Sequence, residues 1–220
     1  AVYLTELCPQ KLRQPIATAV ELLAGIPSII YGMWGFFVLG PFLAEHFQPA
    51  VIAFFKPVPV LNEIFKGPAS NLSLFNASLV LAIMILPFIT SIARDVFMTV
   101  PPVLKEAAYG IGCTTWEVVS NVVIPYTRVG VIGGVMLALG RALGETMAVT
   151  FVIGNSFKIT SSIFAPSTTI SAAIASEFAE SSDLHQSALI LLGLLLFVLT
   201  FTVLAIARLL LMRVEKKAGN

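Results

Sequence analysis

Val100-Pro101-Pro102-Val103-Leu104-Lys105-Glu106-Ala107-Ala108-Tyr109-Gly110-Ile111-Gly112-Cys113-Thr114-Thr115-Trp116-Glu117-Val118-Val119-Ser120-Asn121-Val122-Val123-Ile124-Pro125 is the most informative run in the chain. Pro101 and Pro102 suit the first turn of a helix, where a missing N–H is no loss, and Val103 to Tyr109 continue with good helix formers. Gly110 and Gly112 can end that helix in a left-handed turn. Thr114 and Glu117 then stand at capping-box spacing and start a second short helix, which Pro125 is expected to break. The run therefore reads as a compact helix–turn–helix knob. Trp116, Val118, Val119, Val122 and Val123 are more apolar than a free loop should be, so membrane or protein is expected to cover them.

Long apolar stretches lie on both sides of the knob. A bilayer core about 30 Å thick needs about 20 mainly apolar helical residues, and four stretches qualify, at about 20–45, 73–97, 127–153 and 187–212. Composition agrees: 57% of the 220 residues are hydrophobic and 11% charged, with a mean hydropathy of +0.93. The predicted fold is an all-α, polytopic transmembrane helix bundle. It is read as one membrane domain over residues 1–220, with the cytoplasmic loop at about 98–126. Ala1 to Leu7 look like the end of a fifth span that begins before this chain, because Lys11 and Arg13 follow directly as a short basic loop.

Charge placement gives an orientation. Lys11 and Arg13, then Arg94, Lys105 and Arg128, then Arg208, Arg213, Lys216 and Lys217 mark three alternating places as cytoplasmic, including the C-terminus. The segments at about 46–72 and 154–186 mix acidic and basic residues with turn formers and read as external. The 13 Lys and Arg nearly cancel the 12 Asp and Glu, so no basic field exists to hold nucleic acid. Cys8 and Cys113 have no metal-ligand spacing and are expected to be small hydrophobes. The sequons at Asn71 and Asn76 carry no weight, since such triplets are common by chance and the second lies within a span.

The third stretch holds Gly130, Gly134, Ala138 and Ala142 at four-residue intervals, which lets another helix approach closely. Arg141 and Glu145 are expected one helical turn apart, with Arg141 about 20 Å along the axis from Arg128. An Arg at that depth costs at least about 3 kcal/mol, so it faces the bundle interior or a water-filled path. Two readings stay open: an internal ion pair that locks helices, or an anion path lined by Arg141 with Glu145 orienting it. Arg94 and Asp95 sit at a span end and are read as boundary residues. Pro27, inside an apolar stretch, is expected to kink a helix.

Glu106-Ala107-Ala108, Gly112 six residues after the Glu, and Val122-Val123-Ile124-Pro125 resemble the EAA loop of bacterial ABC importer permeases, with Val and Ile in place of the usual Ile and Leu. In that family the loop is the coupling helix that docks into a groove on the ATPase subunit. The resemblance gives Glu106, Ala107, Ala108, Gly112 and Pro125 that coupling role. Leu23-Ala24-Gly25-Ile26-Pro27-Ser28-Ile29-Ile30-Tyr31-Gly32 and Gly140-Arg141-Ala142-Leu143-Gly144-Glu145-Thr146-Met147-Ala148-Val149 look like the signature segments of Pst-type phosphate importer permeases. The run Gly140 to Asn155 is closer to the PstC than to the PstA subunit family. The resemblance covers nearly the whole chain, although that family has six spans, so about one and a half are expected to lie outside it.

The resemblance implies a MetI-like bundle in the bacterial inner membrane, with Arg141, Glu145 and Thr146 along the substrate path. It also implies a second homologous permease, two ATPase subunits that bind ATP and Mg, a periplasmic phosphate-binding protein, and no cofactor in this chain. The residues themselves say only that a positive group can meet an anion, and sulfate or molybdate importers share the architecture. An enzyme is a poor rival: the sequence has no HExxH, GxSxG or P-loop, and its two histidines, His46 and His185, fall in predicted external loops. A secondary transporter or channel could use Arg141 and Glu145 equally well, but has no need of a stiff, Gly-hinged knob.

Overall fold

The computed structural model describes residues 1–218, with side chains described except at 59–60 and 214–218. Lys216 and Lys217, used in the charge count, therefore lie outside the described side chains. Among the described residues the chain is helical, with no strand. Four helices are long and apolar enough to cross a membrane: Ser28–Phe55, Leu74–Met98, Thr115–Leu143 and Asp183–Arg213. The number agrees with the sequence reading, and both ends of the first and third spans move.

The first spanning helix begins at Ser28 because Pro27 is its extended N-cap (ψ 136°), so Pro27 separates two helices and kinks neither. The residues before it form their own helix, Gln10–Ala24, closed at Gly25. At its far end the span runs on to Phe55, through wide turns at Gly35–Leu39 and Leu43–Phe47. His46 is thus helical and stacks on Phe42, with ring centroids 5.1 Å apart; it is not in a loop.

The third spanning helix starts at Thr115 and passes through Pro125 without breaking. A π-helical turn, Val119–Val123, precedes the proline, and its closing bond runs from the Ile124 N–H to the Val119 carbonyl. The widened turn accommodates a ring that would clash with the carbonyl four residues back in a regular α-helix. This helix ends at Leu143, and a separate short helix, Met147–Ile153, follows. The apolar stretch predicted at 127–153 is therefore a broken helix.

The chain divides into two compact units. The first comprises 1–25, 85–141 and 201–220. Its core joins Ala93, Phe97 and Val100 to Ala108, Val118 and Val123, seating the helix–turn–helix on the helices that flank it. Each buried valine contributes roughly 1.5–3 kcal/mol on leaving water. In the same unit a β-carbon at Gly130 would come within 2.6 Å of Val96 Cγ1, and one at Gly134 within 2.7 Å of Ile92 Cγ2. The small-residue face predicted for the third span is what lets the second span lie this close.

The second unit comprises 26–84 and 142–200. Here Gln48, Ser73 and Asn76 are fully buried and satisfy one another and the backbone. Gln48 Nε2 donates to the Ser70 carbonyl (3.0 Å) and to Asn76 Oδ1 (3.2 Å), and Gln48 Oε1 accepts from the Ser70 N–H (2.9 Å). Asn76 Nδ2 reaches the Asn71 carbonyl at 2.8 Å. A stack of Phe55, Phe65, Phe164, Phe75 and Phe47 covers this network's end of the unit, with neighbouring centroids 4.7–5.8 Å apart. The Asp183–Ala218 helix exposes Leu191, Leu194, Leu209 and Leu210, as a helix facing lipid does.

Candidate functional site

The knob is built by two capping devices. Its first helix is Pro102–Gly110. Gly112 adopts φ +93°, its N–H bonds the Tyr109 carbonyl (3.0 Å), and the Cys113 N–H bonds the Ala108 carbonyl (3.2 Å). These are the two bonds of a Schellman motif, which needs a left-handed residue two positions past the last helical one. The interval from Glu106 to Gly112 is thus the length of the helix end plus its cap. The next helix opens with a full capping box: the Thr114 side chain accepts from the Glu117 N–H, and the Glu117 carboxylate accepts from the Thr114 N–H at 2.7 Å. Both devices were legible in the sequence.

The cover expected for the knob's valines comes from the chain itself. Val118, Val119 and Val123 are buried (0–2% exposed) and Val122 packs against the same core, so their apolar character is satisfied within the chain. What stays open is Trp116 (71% exposed), joined by Val103, Tyr109 and Ile111, which the sequence reading did not single out. Glu106, Ala107 and Gly112 are also exposed, whereas Ala108 is buried against Phe97, Val100 and Val118. Ala108 holds the knob down, while Glu106 and Ala107 look outward. Pro125 is exposed at the end of the widened turn.

One ion pair ties the knob to the start of the chain, and two further polar contacts anchor its surroundings. Lys105 Nζ meets Glu6 Oε1 at 2.5 Å, Arg94 Nη1 meets Glu21 Oε1 at 2.6 Å, and Arg13 Nη2 donates to the Thr5 carbonyl at 2.6 Å. The Arg94 side chain is only 15% exposed, so it is a held residue with a partner 73 positions away. Sequence reading had no signal for that partner.

Around Arg141 the helix break changes the geometry. Arg141 lies two residues from the end of its helix, so no continuous turn carries it and Glu145 on one face. Its guanidinium carbon sits 5.7 Å from the centroid of the Phe88 ring, a cation–π distance. Glu145 is buried (8% exposed). Its Oε1 accepts from the Ala148 N–H at 3.3 Å, and its carbonyl accepts from Ser171 Oγ at 2.9 Å. The carboxylate thus sits at the positive end of Met147–Ile153, where a negative group is favoured. Thr146 is the N-cap of that helix, and its carbonyl accepts from Thr150 Oγ1 at 2.8 Å.

The same short helix packs on the first spanning helix. A β-carbon at Gly32 would lie 2.9 Å from Ala148 Cα, so only glycine permits the approach. The two signature segments, which lie more than a hundred residues apart in sequence, meet at this point.

The family described as "Binding-protein-dependent transport system inner membrane component" matches residues 6–216. The chain is 66% identical over all 220 residues to the "Phosphate transport system permease protein PstC" of Mesorhizobium japonicum, covering 67% of that protein. It is 60% identical to the protein of the same description from Pasteurella multocida, covering all of this chain and 69% of that one. A "Probable phosphate transport system permease protein PstC" of Methanocaldococcus jannaschii is 38% identical over 205 residues, 92% of this chain and 64% of that one. No solved structure matches. With its spanning helices, its capped knob and these relatives, the chain belongs to the family of binding-protein-dependent transport system inner membrane components.

Proposed function

We infer that this chain is the membrane-spanning permease subunit of an ATP-driven importer that moves inorganic phosphate into the cell. The observation that carries the reading is the knob: two caps fix its backbone, its inner face is seated on the flanking helices, and Glu106 and Ala107 remain outside. A knob that stiff moves with the helices it joins, so a shift of the ATPase groove is passed on as a rigid-body motion. Glu106 pairs with a basic group on the ATPase, exposed Ala107 allows close docking, and Gly112 and Pro125 set the angles at which the helices enter and leave.

ATP and Mg are held by two partner ATPase subunits, and the chain itself carries out no hydrolysis. A second homologous permease completes the path, and a periplasmic phosphate-binding protein delivers the anion. Residues 1–220 form one membrane domain, with 98–126 as the coupling loop; the single family match from 6 to 216 supports this. The protein sits in the bacterial inner membrane with its C-terminus in the cytoplasm, an orientation supported by the basic residues at 11–13, 94–128 and 208–213.

Arg141 supplies the positive group on the path. Phe88 offers the guanidinium an apolar resting face from which an anion can draw it with charge-assisted bonds. Glu145 and Thr146, assigned to the same path, fix the start of the short helix Met147–Ile153. The test is phosphate uptake in vesicles reconstituted with the partner subunits, for the parent, Arg141→Gln, Glu145→Gln and the double variant, with sulfate as competitor. Loss of uptake in Arg141→Gln and in the double variant, with the complex assembled, is the expected result. Recovery in the double variant makes the charges a structural pair and moves the path elsewhere. Competition by sulfate equal to that by phosphate overturns the substrate.

A further inference from the structure

The first unit contains a cavity of about 440 Å³, remote in sequence from the Arg141 segment and used by nothing above. Its polar lining is Arg13, Gln14, Arg94, Lys105 and Thr5, and none of its lining residues is acidic. Each cation is held in place: Lys105 by Glu6, Arg94 by Glu21 at 2.6 Å and Asp95 at 3.7 Å, Arg13 by the Thr5 carbonyl. Glu6, Glu21 and Asp95 do not line the cavity. An Arg carries five N–H donors and a Lys three, and the bonds just described use only one or two of each, so most donors remain. Three pre-positioned cations around a space without a carboxylate favour an anion with several acceptor oxygens.

We propose that this cavity binds an anionic phosphoryl group. Its volume lies within the range of about 300–1,000 Å³ that holds small organic ligands, so it accepts either inorganic phosphate or the phosphate of a phospholipid headgroup. Leu4 and Met98 in the wall give a headgroup's glycerol and upper chain an apolar surface, and basic pockets at the cytoplasmic ends of spans take such headgroups. The proposal goes beyond the import reading and stands without it. Because Lys105 adjoins Glu106, an occupant drawing on Lys105 bears directly on the seat of the knob.

The test uses the assembled transporter containing the full-length chain, in phosphatidylcholine nanodiscs. One arm titrates inorganic phosphate against chloride at matched ionic strength; the other adds phosphatidylglycerol to the bilayer. Hydrogen–deuterium exchange is followed over residues 1–17 and 98–105. Protection of both segments is expected in one arm or both, and the arm identifies the source of the phosphoryl group. Gln14→Glu puts a negative charge in the lining without touching any of the ion pairs. It should weaken that protection about tenfold or more, the scale of a charged hydrogen bond, and Arg13→Gln should do the same. No protection in either arm, or protection unchanged by Gln14→Glu, overturns the proposal and leaves the cations as ion-pair partners only.

Discussion

Gly110 and Gly112 sit two residues apart in the knob and should respond to the same substitution with opposite signs. Gly112 holds φ +93° and has no atom within 4 Å of where a β-carbon would be, so Gly112→Ala is opposed by backbone strain alone. That strain costs about 1–2 kcal/mol for an L-residue. Gly110 is the last residue of its helix and has the same open space, so Gly110→Ala should stabilise by about 0.5–1 kcal/mol. A helix of nine residues is marginal by itself and depends on its caps and its seat. A loss of 1–2 kcal/mol changes its closed-to-open ratio by about 5- to 30-fold. The readout is hydrogen–deuterium exchange at the Cys113 amide, whose bond to the Ala108 carbonyl closes the cap. Exchange should quicken about 5- to 30-fold in Gly112→Ala and slow about two- to fivefold in Gly110→Ala. Phosphate moved per ATP hydrolysed should fall only in the first. Equal exchange in the two variants would refute the claim that the left-handed cap, rather than the presence of glycine, holds the knob.

Glu106→Lys should abolish co-purification of the ATPase while membrane insertion is unchanged, because the residue is exposed and makes none of the ion pairs described; full retention of the ATPase would count against its docking role. Gly134→Val should lower thermal stability by about 1–3 kcal/mol through overpacking, since even one β-carbon would come within 2.7 Å of Ile92; the same change at Gly133, where nothing lies within 4 Å, should do little. Gln48→Leu strands the Ser70 N–H and Asn76 Oδ1, and each unpaired buried group costs about 1–3 kcal/mol. Its melting temperature should therefore drop more than that of Ser78→Ala, which removes an exposed bond within a single helix.

The parts read correctly from sequence are those governed by local pattern. Four apolar stretches, the glycine turn, the Thr114–Glu117 box and the Gly130–Gly134 face each depend on residues a few positions apart. Hydropathy could not see the break at Gly144–Thr146, because the run on both sides is equally apolar and the interruption comes from backbone conformation. It mistook a helix for a loop at His46, since two widened turns carry the first span on to Phe55. Which surface covers the knob's valines was not legible, because their cover, Phe97 and Val100, precedes them across a proline pair. The pairings of Arg94 with Glu21 and Lys105 with Glu6 join positions that no periodicity connects.

The π-helical turn ahead of Pro125 bears on how this sequence can change in length. A π turn holds one more residue than the α turn it replaces, and each residue in an α-helix advances the facing direction by about 100°. Deleting one residue between Val119 and Val123 would return the turn to α geometry, so Gly130, Gly134 and Arg141 would keep nearly the same facing toward Val96, Ile92 and Phe88. The cost would fall on Pro125, whose ring would then meet the carbonyl four residues back. A deletion between Pro125 and Gly130 has no wide turn to absorb it and would rotate everything beyond it by about 100° against the knob. The wide turn thus marks where this helix can lose a residue and keep its phase, and a single deletion just after Pro125 should be far less tolerated.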